Sequence, residues 1–243
     1  MQDIKSITID FWNTLYDSSG GNERNRARQL AIVTEVDKFA LFLPADKINE
    51  AIEASWKNFE YYWKEHHLTP SAFDTVKFIW EHLKLPYSEE AINNVAKVFA
   101  EGILHHSPKP LPNVKEILPQ LKSKYNIALI SDTGFSPGSI IKELMERDGL
   151  LKHFDAFSFS NETGVAKPNP KAYYTVLEPL KTKEREGIHI GDIEHTDILG
   201  AKSIGMKAIR FSGDLTKLTE KNPDKSAADF EVYSWNEIAE KLL

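Results

Sequence analysis

The sequence predicts an α/β fold: a doubly wound parallel sheet whose first strand is followed by an inserted, all-helical domain. Three observations lead there. Short β-rich runs alternate with amphipathic helical segments from about residue 114 onward. One such run, Ile7-Thr8-Ile9, stands alone near the start of the chain and ends on Asp10. Between the two lies a long stretch of helical texture without strand signals, closed by the proline-rich Ser107-Pro108-Lys109-Pro110-Leu111-Pro112. A proline-rich stretch at such a change of texture is a natural domain boundary. The expected domains are an α/β core over residues 1–17 and 108–243, and a helical-bundle cap over 18–107.

Ile4 to Asp10 is β-branched and alternates enough to be a buried strand. Asp17-Ser18-Ser19-Gly20-Gly21 reads as a turn, because Gly and Ser supply backbone freedom. Four helices follow. Leu30, Val33, Val36 and Ala40 recur at helical spacing. Asp46 is an N-cap candidate for a helix carrying Ile48, Ile52, Trp56, Phe59 and Trp63, whose aromatic stripe (with Tyr62) reads as core. Thr69 before Pro70 is a cap with proline in the first turn, ahead of Val76, Ile79, Trp80 and Leu83. Ser88 with Glu89 and Glu90 opens the fourth, bearing Ile92, Val95, Val98, Phe99 and Ile103. Four such helices with short connections suggest a bundle. The adjacent pairs His66-His67 and His105-His106 diverge on a helix and are weak metal candidates.

Beyond the proline-rich stretch, a helix over Val114–Lys122 leads to strand Ile127–Ile130, which ends at Ser131. A helix around Ile140–Arg147, strand Ala156–Ser160 and a loop Asn161–Pro170 holding Lys167 come next. A helix around Lys171–Leu180 precedes strand Gly187–Ile190, which ends at Gly191-Asp192. Asp197–Ile204 is helical, Lys207–Phe211 is a strand, and Glu231–Tyr233 reads as an edge strand. Ser234 with Glu237 is a capping box for the last helix.

Composition narrows the function classes. Of 243 residues, 41% are hydrophobic and 27% charged, as in ordinary globular domains. The net charge is −6 with no basic run, which argues against nucleic acid as a partner. No apolar run is long enough to span a bilayer, and no apolar leader precedes the first strand. The absence of cysteine excludes disulfides, thiolate metal sites and cysteine nucleophiles, and suits a reducing cytoplasm. Monomer and homodimer are both open.

Chemistry gathers at the strand ends, where ligands sit in parallel α/β sheets. Three strands end on Asp10, Ser131 and Asp192, with Lys167 and Asp197 close by in the chain. Carboxylates sharing one edge repel, so some are protonated or a cation sits among them. Hard oxygen ligands favour Mg²⁺. A hydroxyl and an ammonium suit the oxygens of a phosphoryl group.

These residues resemble the motifs of the haloacid dehalogenase-like (HAD) hydrolase superfamily, whose core is a Rossmann-like sheet. The first motif, an apolar strand followed by Asp-x-Asp-x-Thr, is similar to Asp10-Phe11-Trp12-Asn13-Thr14. The second, a strand ending in Ser or Thr, matches Ser131. The third, Lys before Pro, matches Lys167-Pro168. The fourth, Gly-Asp-x-x-x-x-Asp, matches Gly191-Asp192-Ile193-Glu194-His195-Thr196-Asp197. The resemblance covers nearly the whole chain, including a helical cap after the first motif. It implies Asp10 as nucleophile and Mg²⁺ ligand, with Thr14, Ser131 and Lys167 organising the motif and holding phosphate. It further implies metal ligation by the Trp12 backbone carbonyl and Asp192, with Asp197 acting directly, through water or from behind. The implied substrate is a small phosphorylated molecule, hydrolysed through an aspartyl phosphate, and the implied source of specificity is the cap near Ser18–Gly21.

The departure is Trp12, where phosphatases of the family carry an acid/base Asp. Indole can neither protonate a leaving alkoxide nor activate water. Such help is typically worth ~10²–10⁴ in rate. Three readings follow, in order. The first is a Mg²⁺-dependent phosphatase acting on good leaving groups or using another acid. The second is a 2-haloacid dehalogenase-like enzyme, since that branch carries Tyr here and halide needs no proton; yet that branch is metal-free and lacks the acidic fourth motif. The third is a weakly active binder of phosphorylated ligands. Packing alone is the plain alternative for the Trp12 side chain.

Overall fold

The structure, a computed structural model, describes residues 3–214 and 225–243; Met1 and Gln2 of the N-terminal run lie outside them. In chain order the elements are β1 (Ser6–Ile9), α1 (Gly21–Asp37), α2 (Ala45–His66), α3 (Ala72–His82), α4 (Glu89–His105), α5 (Val114–Lys122), β2 (Asn126–Ser131), α6 (Gly138–Arg147), β3 (Ala156–Phe159), α7 (Ser160–Thr163), α8 (Pro170–Leu177), β4 (Gly187–Gly191), α9 (Gly200–Ser203), β5 (Lys207–Phe211), β6 (Phe230–Val232) and α10 (Trp235–Leu242). They fall into two compact units. One holds Met1–Ser19, Pro108–Asp132 and Met145–Leu243. The other holds Gly20–Ser107 and Thr133–Leu144. The last segment is a departure from the expected boundaries, which put residues after 107 with the core. Its Phe135 is buried in the helical cluster, which explains the assignment.

The α/β unit is built on a six-stranded sheet in the order β3-β2-β1-β4-β5-β6. Every pairing is parallel. Ile7, Ile9, Ile127, Leu129, Ile188 and Ile190 are fully buried in its three central strands. Strands buried on both faces read as continuous apolar runs, and each such side chain contributes roughly 1.5–3 kcal/mol. The chain winds outward from β1 in both directions, so the switch point lies between β1 and β4. The crevice at the carboxyl ends of these strands is where such sheets take ligands.

The helical unit has its own core, with Ile32, Ile52, Val76, Trp80, Val95 and Phe99 buried together. Several local expectations shift. Helix α2 begins after Pro44, and Asp46 sits in its first turn, where a negative charge suits the helix dipole. The cap of α3 is Ser71 rather than Thr69: its side chain accepts from Asp74 N–H, and the Asp74 carboxylate returns the bond. Ser88 caps α4 as expected. On α2 the buried stripe is Ile48, Ala51, Ile52, Ser55 and Phe59. Trp56 and Tyr62 flank it and are 39% and 41% exposed, so only part of the aromatic stripe is core.

The larger difference is on α1. Its buried face is Arg24, Arg28, Ile32, Glu35 and Val36, while Leu30 is 67% exposed and Ala40 lies beyond the helix end. The apolar spacing followed one face, and the packing of Phe99 and Phe135 against Arg28 selected another. No described helix is long and apolar enough to cross a membrane.

Candidate active site

The α/β unit brings together most of the residues that the sequence singles out. Register does the first part. Ile9 pairs with Leu129 of β2 and with Ile190 of β4. Asp10 N–H continues the ladder by donating to Ile190 O at 2.9 Å. Asp10, Ser131 and Asp192 therefore leave three neighbouring strands within about one residue step of each other, strands being ~4.8 Å apart. The turn after Asp10 is tight: Leu15 and Tyr16 N–H both donate to Phe11 O. Asn13 takes the left-handed φ of 56° that the turn needs, a conformation Asn tolerates. The Trp235 indole N–H fixes the far side by donating to Thr14 O at 2.9 Å. The Trp12 side chain is half-buried, edge-on to Phe11.

Lys167 supplies the second part. The peptide after it is cis. Its N–H donates to Asp132 Oδ1 at 2.8 Å, which anchors the backbone. Its Nζ donates to Asp10 Oδ1 at 2.5 Å and to Asp197 Oδ1 at 2.6 Å. Asp197 is held from every side. His189 Nε2 lies 3.0 Å from the same Oδ1, while Oδ2 accepts from Ile193 N–H at 3.0 Å and from the Thr196 hydroxyl. A turn of π-helix, Glu194–Leu199, carries it there instead of the simple helix expected. Gly191 is required as well, because a Cβ on it would collide with the Asp197 carboxylate.

His189 Nδ1 in turn meets the Thr8 hydroxyl at 2.8 Å. Burial pushes the His189 ring down from its usual range, although Asp197 pulls the other way. A carboxylate only accepts, so the neutral ring donates through Nε2 and accepts from Thr8 through Nδ1. Thr8, His189, Asp197, Lys167 and Asp10 thus form one hydrogen-bonded chain through the sheet.

The electrostatics are unbalanced. Burial works against the Lys167 charge, but Asp10 and Asp197 outweigh it and hold the ammonium well above its usual value. Burial likewise raises Asp10. Lys167 opposes that rise, and Asp197 and Asp192 add to it, so the carboxyl stands well above its usual range. Asp197 is held low, because Lys167 and His189 overcome its burial. Three carboxylates face one ammonium, and Asp10 is the one whose charge is disfavoured.

Two of the hydroxyls that the sequence singles out stand without partners. Thr14 Oγ1 and Ser131 Oγ are buried and make no hydrogen bond. An unsatisfied buried hydroxyl costs ~1–3 kcal/mol and asks for a partner.

This donor set fits Mg²⁺. Its oxygens are hard and its net charge is negative. Side chains alone do not form a cage: among the described residues no group of three or more His, Asp or Glu is placed to hold a metal. Both oxygens of Asp197, expected as a possible ligand, are taken by protein donors. Mg²⁺ typically takes one or two carboxylates and completes its shell with water and substrate phosphate, and Asp10 and Asp192 follow adjacent strands. The sequence reading missed His189 and Asp132. The signal for His189 was available: Ile-Thr-Ile and Ile-His-Ile place two polar residues in register in a buried sheet.

A sequence model for haloacid dehalogenase-like hydrolases matches residues 4–205. The chain is 27% identical over 238 residues to a glyceraldehyde 3-phosphate phosphatase of Methanothermobacter thermautotrophicus, covering 94% of this chain and 95% of that one. It is 30% identical over 220 residues to the glyceraldehyde 3-phosphate phosphatase of Pyrococcus furiosus, covering 87% and 82%. Among solved structures, an HAD phosphatase from Thermococcus onnurineus superposes with a TM-score of 0.70 at 19% identity, covering 98% of each chain. A 2-haloacid dehalogenase from Pseudomonas syringae gives 0.68 at 20%, over 98% and 97%. At those identities the two structures speak for the fold alone.

Proposed function

The chain belongs to the haloacid dehalogenase-like hydrolase family, and from that premise we propose that it is a Mg²⁺-dependent phosphatase acting on a small phosphorylated metabolite through an aspartyl phosphate on Asp10. The observation that carries the reading is the pairing of Asp10 with Lys167, with the unpartnered hydroxyl of Ser131 at the end of the neighbouring strand. A nucleophile, a positive charge and a waiting donor are what a phosphoryl group requires. The glyceraldehyde 3-phosphate phosphatases among the relatives support a small phosphomonoester as substrate. The lack of cysteine supports a cytoplasmic setting.

An Asp10 carboxylate oxygen bonds to phosphorus as the bond to the leaving oxygen breaks, and the electron pair departs with that oxygen. Water then bonds to phosphorus and gives a proton to solvent as the bond from phosphorus to the Asp10 oxygen breaks, which releases inorganic phosphate and restores the Asp10 carboxylate. Lys167 and the Ser131 hydroxyl donate to the phosphoryl oxygens, and Thr14 organises the turn that presents Asp10. Asp197 positions the Lys167 ammonium, with His189 and Thr8 behind it. Asp10, Asp192 and the Trp12 carbonyl would hold Mg²⁺, which supplies positive charge against the phosphoryl oxygens. Trp12 offers no proton, so the leaving oxygen takes its proton from solvent.

A leaving-group series tests this. We expect kcat/KM to fall steeply from acyl and aryl phosphates to alkyl phosphates, by ~10²–10⁴ where proton donation is missing. A flat series would overturn the role given to Trp12. Trp12 is also compatible with a carbon–halogen hydrolase, but Asp192 and Asp197 rank that reading second. Halide release from 2-haloacids without Mg²⁺ would reverse the order.

A further inference from the structure

We propose that Arg28, together with Arg24, forms an oxyanion-binding site within the helical unit, taking a carboxylate, phosphate or sulfate group. The two arginines lie one turn apart on the buried face of α1 and are only 6% and 7% exposed. The Arg28 guanidinium carbon sits 4.7 Å above the Phe135 ring and 5.2 Å from that of Phe99. Its Nη1 donates to the neutral Asn25 Oδ1 at 2.8 Å, and its Nε is buried with no acceptor. No carboxylate pairs with it among the described residues. The buried acid on the same helix, Glu35, is engaged by Lys38 at 2.7 Å and Asn94 at 3.1 Å.

The surroundings are shaped for the pair. Arg24 Nη1 donates to His106 O at 2.7 Å. Gly20 has a φ of 76°, and a Cβ there would fall 2.9 Å from Arg24 Nη1, while a Cβ on Gly102 would touch the Arg24 stem at 3.6 Å.

The energetics ask for an anion. Desolvating a guanidinium costs more than a desolvated cation–π contact returns. Burial, and then the charge of Arg24, push Arg28 down to about 9, so it is still protonated at neutral pH. Two like charges one turn apart add repulsion. A fork of N–H donors held next to a second guanidinium matches the oxygens of a carboxylate or phosphate.

The test compares the whole protein and Arg28→Met by thermal melting in potassium sulfate against potassium chloride at matched ionic strength. General salting-out acts on both proteins alike, and so does sulfate in the phosphoryl site, so their difference reads this site. The wild type should gain ~3 °C or more from sulfate. Arg28→Met should melt at the same or a higher temperature in chloride and lose at least about half of that gain. A full gain in Arg28→Met would overturn the proposal, whatever its stability in chloride. If Arg28→Met does not fold, Arg28→Lys decides, since it keeps the charge and loses the fork. A weakened gain supports the site, and an unchanged one overturns it.

A kinetic arm identifies the source of the oxyanion. If it belongs to the substrate, Arg28→Met lowers kcat/KM for phosphoglycolate by ~10-fold or more and leaves p-nitrophenyl phosphate within about 2-fold. An equal effect on both assigns the site to a free anion. This arm rests on the proposed phosphatase reading and the melting arm does not, so absence of turnover would leave the site itself standing.

Discussion

Lys167 in the α/β unit and Arg28 in the helical unit are both buried cations, and they differ in what stands opposite. Lys167 lies between two carboxylates at 2.5 and 2.6 Å. Arg28 has two aromatic rings, an amide oxygen and a second arginine. Around Lys167 negative charge is in excess, and a cation is wanted. Around Arg28 positive charge is in excess, and an anion is wanted. A buried charge left uncompensated within the protein therefore reads as a statement about the ligand, with its sign attached.

The same substitution should act oppositely at the two places. Lys167→Met, measured in EDTA, leaves Asp10 and Asp197 buried against each other. It should cost about 3–5 kcal/mol of stability, as breaking one side of a buried pair does. Arg28→Met in anion-free buffer should cost nothing or stabilise. Equal losses at both sites would break the comparison and mean that packing of the stems, rather than charge, dominates.

A smaller effect sharpens it. Ser131→Ala removes a buried hydroxyl that has no partner among the described residues. Stability should rise or hold, within about 1–3 kcal/mol. Meanwhile kcat/KM should fall ~10–100-fold, the value of a hydrogen bond to a charged phosphoryl oxygen. A parallel loss of stability and activity would place the Ser131 hydroxyl in the fold rather than in the reaction.

Most of the α/β unit was legible in the sequence because its strands are buried on both faces and end on polar residues. Apolar run, acidic or hydroxyl end, helix: the pattern places Asp10, Ser131 and Asp192 before any coordinates do. Lys167 was legible through its Lys-Pro step. What was not legible was what holds these groups. His189 meets Thr8 only because β4 lies next to β1, and Asp132 reaches the Lys167 backbone only across a loop. In the helical unit the buried face of α1 escaped the apolar count, because it carries two arginines and is defined partly by Phe135, from far along the chain. Periodicity reports which residues are oily, and burial here follows which partners arrive. The same limit explains why Thr133–Leu144 joins the helical unit unannounced.

The central claim is that Asp10 is a metal-assisted phosphoryl nucleophile despite Trp12. The most direct measurement is hydrolysis of p-nitrophenyl phosphate by the wild type with Mg²⁺, by the wild type with EDTA, and by Asp10→Asn with Mg²⁺. Turnover is expected in the first case only, with a loss on the order of 10⁴-fold or more in Asp10→Asn. Turnover that survives Asp10→Asn, or that is indifferent to EDTA, would contradict it.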